Sequence, residues 1–229
     1  MATATQSQAP SPWPKPRAIT NKSVLDHSDL SEGKGTNSIN VFGHYAYQQM
    51  GYMTAEELHA LLTSGRSGLV VKVVDCQDKI KMTKKIINAV EFDIKDNVDS
   101  YNEPAFKARR DNAQKYQAAD LFPTRAEKLP DAVVFVCDMG MARSHITAYW
   151  YARHLIRTFN PPVSETTGQL ATKTRIYVLE GGLKSVQGLS AEKQNAILVA
   201  PTATSTTRQV VPSGPAKTES SVRGVRPKK

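Results

Sequence analysis

Cys137 and Arg143 are separated by five residues, Asp138, Met139, Gly140, Met141 and Ala142. A thiol at one end of such a stretch and a guanidinium at the other suit the capture of a tetrahedral oxyanion. Backbone amides curled in a loop cradle an anion, and the positive end of a helix dipole adds to the attraction. Arginine contributes two parallel hydrogen bonds. The same field favours thiolate over thiol, which makes Cys137 a candidate nucleophile. Gly140 removes a side chain where the backbone has to curl. By itself the spacing arises readily by chance, and the plainer reading is a buried structural cysteine followed by a surface arginine.

Context separates the two readings. Residues 132–136 read Ala-Val-Val-Phe-Val, a buried strand that ends at Cys137. From Ser144 onward Ile146, Tyr149, Trp150 and Leu155 recur at helical spacing, to about Phe159, where Pro161 and Pro162 halt the helix. The stretch is therefore a strand, a tight loop and a helix. Ser144 can bond the thiol or cap the helix, and capping is the expected role.

Other elements must hold this unit. Thr54 and Glu57 form a capping box for a helix carrying Leu58, Leu61 and Leu62 on one face, which stops before Gly65. His59 reads as a surface residue of that helix. Leu69 to Val74 is nearly all β-branched, as a buried parallel strand requires, and it ends in Asp75, Cys76 and Asp78. A short apolar segment follows at 86–92, after a basic loop of Lys79, Lys81, Lys84 and Lys85 expected to face water. Residues 105–122 look helical, with Phe106, Ala113, Tyr116 and Leu121 as the apolar set. Pro123 and Pro130 bracket a connector into the central strand. Residues 175–179 form a further strand, Gly181 and Gly182 a tight turn, and a short helix is expected near 190–198. Alternating strands and helices predict an α/β fold with a mostly parallel sheet. Ligands of such sheets sit at the carboxyl ends of the strands, so Asp75, Cys76 and Cys137 should share one rim.

The chain has 229 residues. Residues 1–38 are rich in Ser, Thr, Pro and Gly and read as disordered. A folded domain is expected over 39–199 and a disordered basic tail over 200–229. The net charge of +9 suits an anionic partner or substrate. Lys217, Arg223, Arg226, Lys228 and Lys229 carry part of it, but no aromatic residue interleaves them, and specific nucleic-acid binding is not expected. No apolar run is long enough for a bilayer and no secretory signal is evident. Two cysteines in such a chain point to a reducing compartment, cytoplasm or nucleus. The five histidines are scattered, and no metal site is expected.

Over roughly residues 50–190 the sequence resembles the rhodanese superfamily. Met53-Thr-Ala-Glu-Glu-Leu is similar to its opening strand-to-helix segment, and Val73 to Asp78 to the strand ending in an acidic turn. The segment 86–92 is similar to "HIxGAxNI", with Lys85 in place of the histidine and Asn88 of the glycine. Cys137 to Ser144 and Ala148 match the active loop and its helix, and Tyr177 to Gly182 the closing "VLxGG". Sulfurtransferases of the fold have C-x4-R. The longer C-x5-R resembles the cell-division-cycle type of dual-specificity phosphatase and the eukaryotic arsenate reductases. Val74-Asp75-Cys76-Gln77 resembles the phosphatases' "IDCR", whose cysteine forms a reversible disulfide with the nucleophile. Departures are Val136 for the usual histidine, Gln77 for an arginine and Asp138 for a frequent glutamate.

The resemblance implies a central sheet of about five strands flanked by helices. It also implies a cysteine-dependent phosphatase acting on a phosphorylated protein or small oxyanion, without cofactor or membrane. Cys137 would be the nucleophile. Asp138, Met139, Gly140, Met141, Ala142 and Arg143 would hold the phosphate, and Cys76 would resolve an oxidised Cys137. Asp138 would be the acid or, on the plainer reading, a loop carboxylate that merely hydrogen-bonds the backbone. The bland alternative for Cys76 is a small buried core thiol. Arsenate reduction with a thiol reductant such as glutathione is the second reading. A sulfurtransferase, or a non-catalytic module that binds phosphorylated partners, follows.

Overall fold

Short runs of β-branched and aromatic residues supply the strands at the centre of the molecule. The computed structural model describes residues 13–14, 17–19, 50–65, 68–78, 81–92, 107–108, 110–112, 121–160 and 174–201. Five parallel strands form one sheet: β1 (Met50–Met53), β2 (Val71–Asp75), β4 (Val90–Glu91), β5 (Ala132–Val136) and β6 (Arg175–Leu179), in the order β1-β6-β5-β2-β4. A separate antiparallel pair joins β3 (Lys85–Ile86) to β7 (Leu198–Val199). Among the described residues the helices α1 (Ala55–Thr63), α2 (Arg143–Phe159), α3 (Gly182–Gln187) and α4 (Ala191–Ile197) accompany them. The α/β class and the five-stranded parallel sheet flanked by helices are as expected.

The central strand β5 is buried along its whole length because both faces of the sheet are covered. Its side chains alternate between two cores. Val133 and Phe135 join Ile146, Trp150, Leu155 and Ile156 of α2 on one face. Val134 and Val136 join Leu58 of α1, Leu183 and Val186 of α3 and Ile197 of α4 on the other. Parallel neighbours need a crossover, and α2 makes the one from β5 to β6. All five strands thus end at one edge, and Cys76, Cys137 and Glu180 each follow a strand there.

The expected capping box is present: Glu57 N donates to Thr54 Oγ1 at 3.1 Å and Thr54 N to Glu57 Oε2 at 2.7 Å. Other expectations are corrected. The segment 86–92 is not continuous, because Asn88 takes φ +56° and divides β3 from β4. Leu121 is buried in a turn and not in a helix. Residues 107–108 and 110–112 are helical, while Phe106, Ala113 and Tyr116 lie outside the described residues. Gly182 opens a helix of its own, α3, which the sequence did not suggest. Lys85 does not face water. Its Nζ lies 3.0 Å from Glu91 Oε1, with both side chains largely covered.

Within 1–38, where disorder is expected, the described residues make contacts with the domain. Trp13 packs against the second core, and the Arg175 guanidinium lies 5.4 Å from its ring centroid. Tyr177 donates to the Pro14 carbonyl at 3.0 Å. Arg17 bridges antiparallel to Tyr52, whose amide donates to its carbonyl at 2.8 Å. The Arg17 side chain lies 2.9 Å from Glu180. Composition favoured disorder here, but a tryptophan and an arginine supplied enough contact to dock the strap on β1. The tail from 202 onward lies outside the described residues.

Candidate active site

The loop from Cys137 to Ala142 is fixed from outside by α3. Leu183 N donates to Cys137 O at 2.8 Å, and Lys184 N to Asp138 O at 3.0 Å. In a trans peptide the carbonyl of one residue and the amide of the next point in opposite directions. The amides of Asp138 and Met139 are therefore turned away from α3, and among the described residues neither donates to a backbone carbonyl.

Two glycines make this approach possible. Gly140 has φ +61°, and a Cβ on it would sit 2.5 Å from Gly182 N and 2.6 Å from Leu179 O. Gly182 has φ +56°, and a Cβ there would sit 2.2 Å from Cys137 O. The backbones touch where any side chain would intrude. The closing Gly181-Gly182 turn is thus part of the loop's mould.

Cys137 lies at the base, 4% exposed, with its sulfur 3.2 Å from Ser144 Oγ. Ser144 is not the helix cap, contrary to expectation. Ala142 occupies that position and offers no side-chain bond, so the hydroxyl is left for the sulfur. An uncapped first turn leaves its amides to an anion. Arg143 reaches back to Asp138, Nη1 to Oδ2 being 3.7 Å, so the two charged residues of the loop lie side by side. Met139 and Met141 are 47% and 56% exposed and form an apolar rim.

Cys76 is adjacent. Asp75 pairs with Val136 in register, so Cys76 and Cys137 are the next pair along strands roughly 4.8 Å apart. Both side chains fall on the α2 face of the sheet. A disulfide requires Cα atoms about 4.4–6.8 Å apart, and this geometry is compatible with one. Both thiols are free. Burial pushes the Cys76 thiol well above its usual range, opposed by the Thr147 hydroxyl beside it.

Two features escaped the sequence reading. Gln77 is not merely a missing arginine. It is buried, its amide donates to Asp75 Oδ1 at 2.9 Å, and its Nε2 donates to Asp75 Oδ2 at 2.9 Å and Lys84 O at 3.0 Å. With amide donors but no cation, burial dominates and raises the Asp75 carboxyl to about 6. The second is His145, whose Nε2 lies 2.8 Å from the Tyr52 hydroxyl under the first turn of α2. Burial lowers it to about 4, and Nδ1 has no partner among the described residues. Tyr52 and His145 are too far apart in sequence for any spacing to announce them. Val136 points into the opposite core, away from the Cys137 side. Among the described residues no three His, Cys, Asp or Glu side chains gather as a metal site, and no helix is long and apolar enough to cross a membrane.

No protein-family model matches the chain, and no curated protein matches it. Solved structures do. Saccharomyces cerevisiae Ygr203w, described as a homolog of single-domain rhodanese and of the Cdc25 phosphatase catalytic domain, is similar at 19% identity and TM-score 0.43, covering 66% of this chain and 88% of its own. An As-Sb reductase from Leishmania major is similar at 19% identity and TM-score 0.44, with 67% and 87% covered. A rhodanese-like domain from Anabaena is similar at 11% identity and TM-score 0.36, with 78% and 96% covered. The chemistry has to be read from the loop itself.

Proposed function

We propose that this chain is a rhodanese-fold, cysteine-dependent phosphatase acting on phosphotyrosine- or phosphothreonine-type esters or small phosphate esters. One observation carries the proposal: α3 takes the loop's first two carbonyls, which turns the amides behind them away from α3 and supports their use by an anion bound over Cys137. Deprotonated Cys137 attacks phosphorus, the ester P–O bond breaks, and a cysteinyl-phosphate forms. The amides of 138–143 and the Arg143 guanidinium balance the charge on the equatorial oxygens. Asp138, beside Arg143, gives a proton to the leaving oxygen. Water then cleaves the S–P bond, and Ser144 Oγ steadies the returning sulfur anion.

The exposed rim of Met139 and Met141 suits an organic group on the phosphate better than a bare inorganic ion. Arsenate reduction is kept as a second reading because a second thiol lies beside the first. The deciding assay is hydrolysis of para-nitrophenyl phosphate by wild type and Cys137→Ser. Turnover that survives the substitution refutes the phosphatase, and arsenate-dependent glutathione consumption without phosphatase turnover favours the reductase.

Oxidation follows from the same neighbours. A sulfenic acid on Cys137 condenses with the Cys76 thiol, forming the S–S bond and releasing water. Cys76 is held protonated by burial, so the step is slow at neutral pH. Thiol counting after mild peroxide checks it, and two free thiols would refute the pair.

A further inference from the structure

Toward its far end α2 carries a different kind of surface. Trp150, Arg153, His154, Arg157 and Thr158, with Lys107 and Arg110 from the neighbouring segment, line a pocket of about 290 Å³. At 1.5 Å per residue, Arg153 lies roughly 15 Å along the helix from Arg143, so this pocket is separate from the Cys137 loop.

Arg153 is the unusual member. It is 5% exposed, and its Nε has no hydrogen-bond partner among the described residues. Its guanidinium lies 4.5 Å from the Trp150 ring centroid and 5.7 Å from that of Tyr149. Ring faces offset part of the cost of burying a cation, but they do not satisfy an in-plane N–H donor. Arg110 is held in place by Asp111 at 2.9 Å and approaches His154 Nδ1 at 3.5 Å. His154 Nε2, 3.2 Å from the Pro123 carbonyl, is set as the donor to it, which leaves Nδ1 as an acceptor. Burial lowers the His154 pKa, so that ring anchors Arg110 without adding a charge.

Among the described residues no carboxylate lines the pocket, while four cationic side chains do. Complementing the negative end of the helix dipole accounts for Arg157, in the last turn. It does not account for Arg153, a turn further in and buried. Trp150 is 2% exposed, so no aromatic face is open for stacking a base. The volume exceeds what one phosphate fills.

We propose that this pocket is a second anion site, for a compact oligophosphate with two or more linked phosphates. Arg153 supplies a buried guanidinium among its lining residues, and Lys107, Arg110 and Arg157 supply further positive charge around it. The proposal does not depend on the reaction at Cys137.

The test is a titration of inorganic pyrophosphate and tripolyphosphate into the full-length, 15N-labelled chain. The Arg153 Nε–H and Trp150 indole N–H signals report the pocket, and the 138–143 amides report the loop. Saturable shifts at Arg153 and Trp150 are expected, with the same midpoint in Arg143→Ala. Lys107→Glu with Arg157→Glu, both exposed side chains, should weaken binding about tenfold or more. Lys193→Glu, on the other face of the sheet, should change it far less. Shifts confined to the loop, or equal weakening by Lys193→Glu and the double reversal, would overturn the site. If the double variant is unfolded, Arg157→Gln alone serves, and an unchanged midpoint there overturns the proposal as well.

Discussion

In the roles proposed for them, the two ends of α2 address negative charge by different means. At its beginning the loop offers peptide amides, one guanidinium and a sulfur, all supplied by eight consecutive residues and moulded from behind by α3. At its other end the charge is carried by side chains from two separate segments, around a buried arginine. Backbone donors are fixed by the fold and need no rotamer to be frozen when an anion arrives, which suits chemistry. Side-chain cations attract more strongly at a distance but must be ordered on binding, which suits capture without reaction.

The sharpest way to break this contrast is at the sulfur. Cys137→Ser should lower turnover of para-nitrophenyl phosphate by roughly 10⁴-fold or more while leaving the fold intact. Arg143→Lys keeps the charge and loses the planar fork, so a fall in kcat/KM of roughly 10²–10³-fold is expected in the same assay. Gly140→Ala tests the mould. Its new methyl would meet Gly182 N at 2.5 Å at a left-handed φ, and a loss of roughly 2–4 kcal/mol in urea denaturation is expected. A variant as stable as wild type would mean that the loop and α3 are not in backbone contact.

A smaller effect concerns two buried groups near the reactive end. Asp75 is raised from 3.8 to about 6, so between those pH values the folded chain binds the extra proton. Its contribution to stability falls as pH rises through that window. His145 is lowered from 6.5 to about 4, so there the unfolded chain binds the extra proton, and its contribution rises with pH. The slopes oppose each other at up to roughly 1.4 kcal/mol per pH unit each. Relative to wild type, Asp75→Asn should lose stability on acidification from pH 6 to 4, and His145→Gln should gain it. Denaturation midpoints across that range check both signs.

The contrast between the two ends also separates what was legible in the sequence. The strand, the loop and the helix after it were readable because Cys137 to Leu155 is continuous and its periodicity changes at the loop. The rim shared by Asp75, Cys76 and Cys137 followed from parallel strands alone. Ser144 was misread because a serine near a helix start usually caps it, and only coordinates reveal that Ala142 takes that position. Gln77 looked like a lost charge until its three bonds to Asp75 and Lys84 were visible. The basic pocket was not legible at all. Lys107 and Arg110 meet α2 only through the tertiary fold, and arginines on a helix ordinarily face water.

The docked strap at Arg17 bears on how the protein behaves in solution. β1 is an outermost strand, and Arg17 covers part of its open side through the bond from Tyr52 N. A chain trimmed to start at residue 39 would bare those hydrogen-bonding groups and invite a second molecule to add its own strand. Self-association that grows with concentration, measured by sedimentation against the full-length chain, is what such trimming should produce.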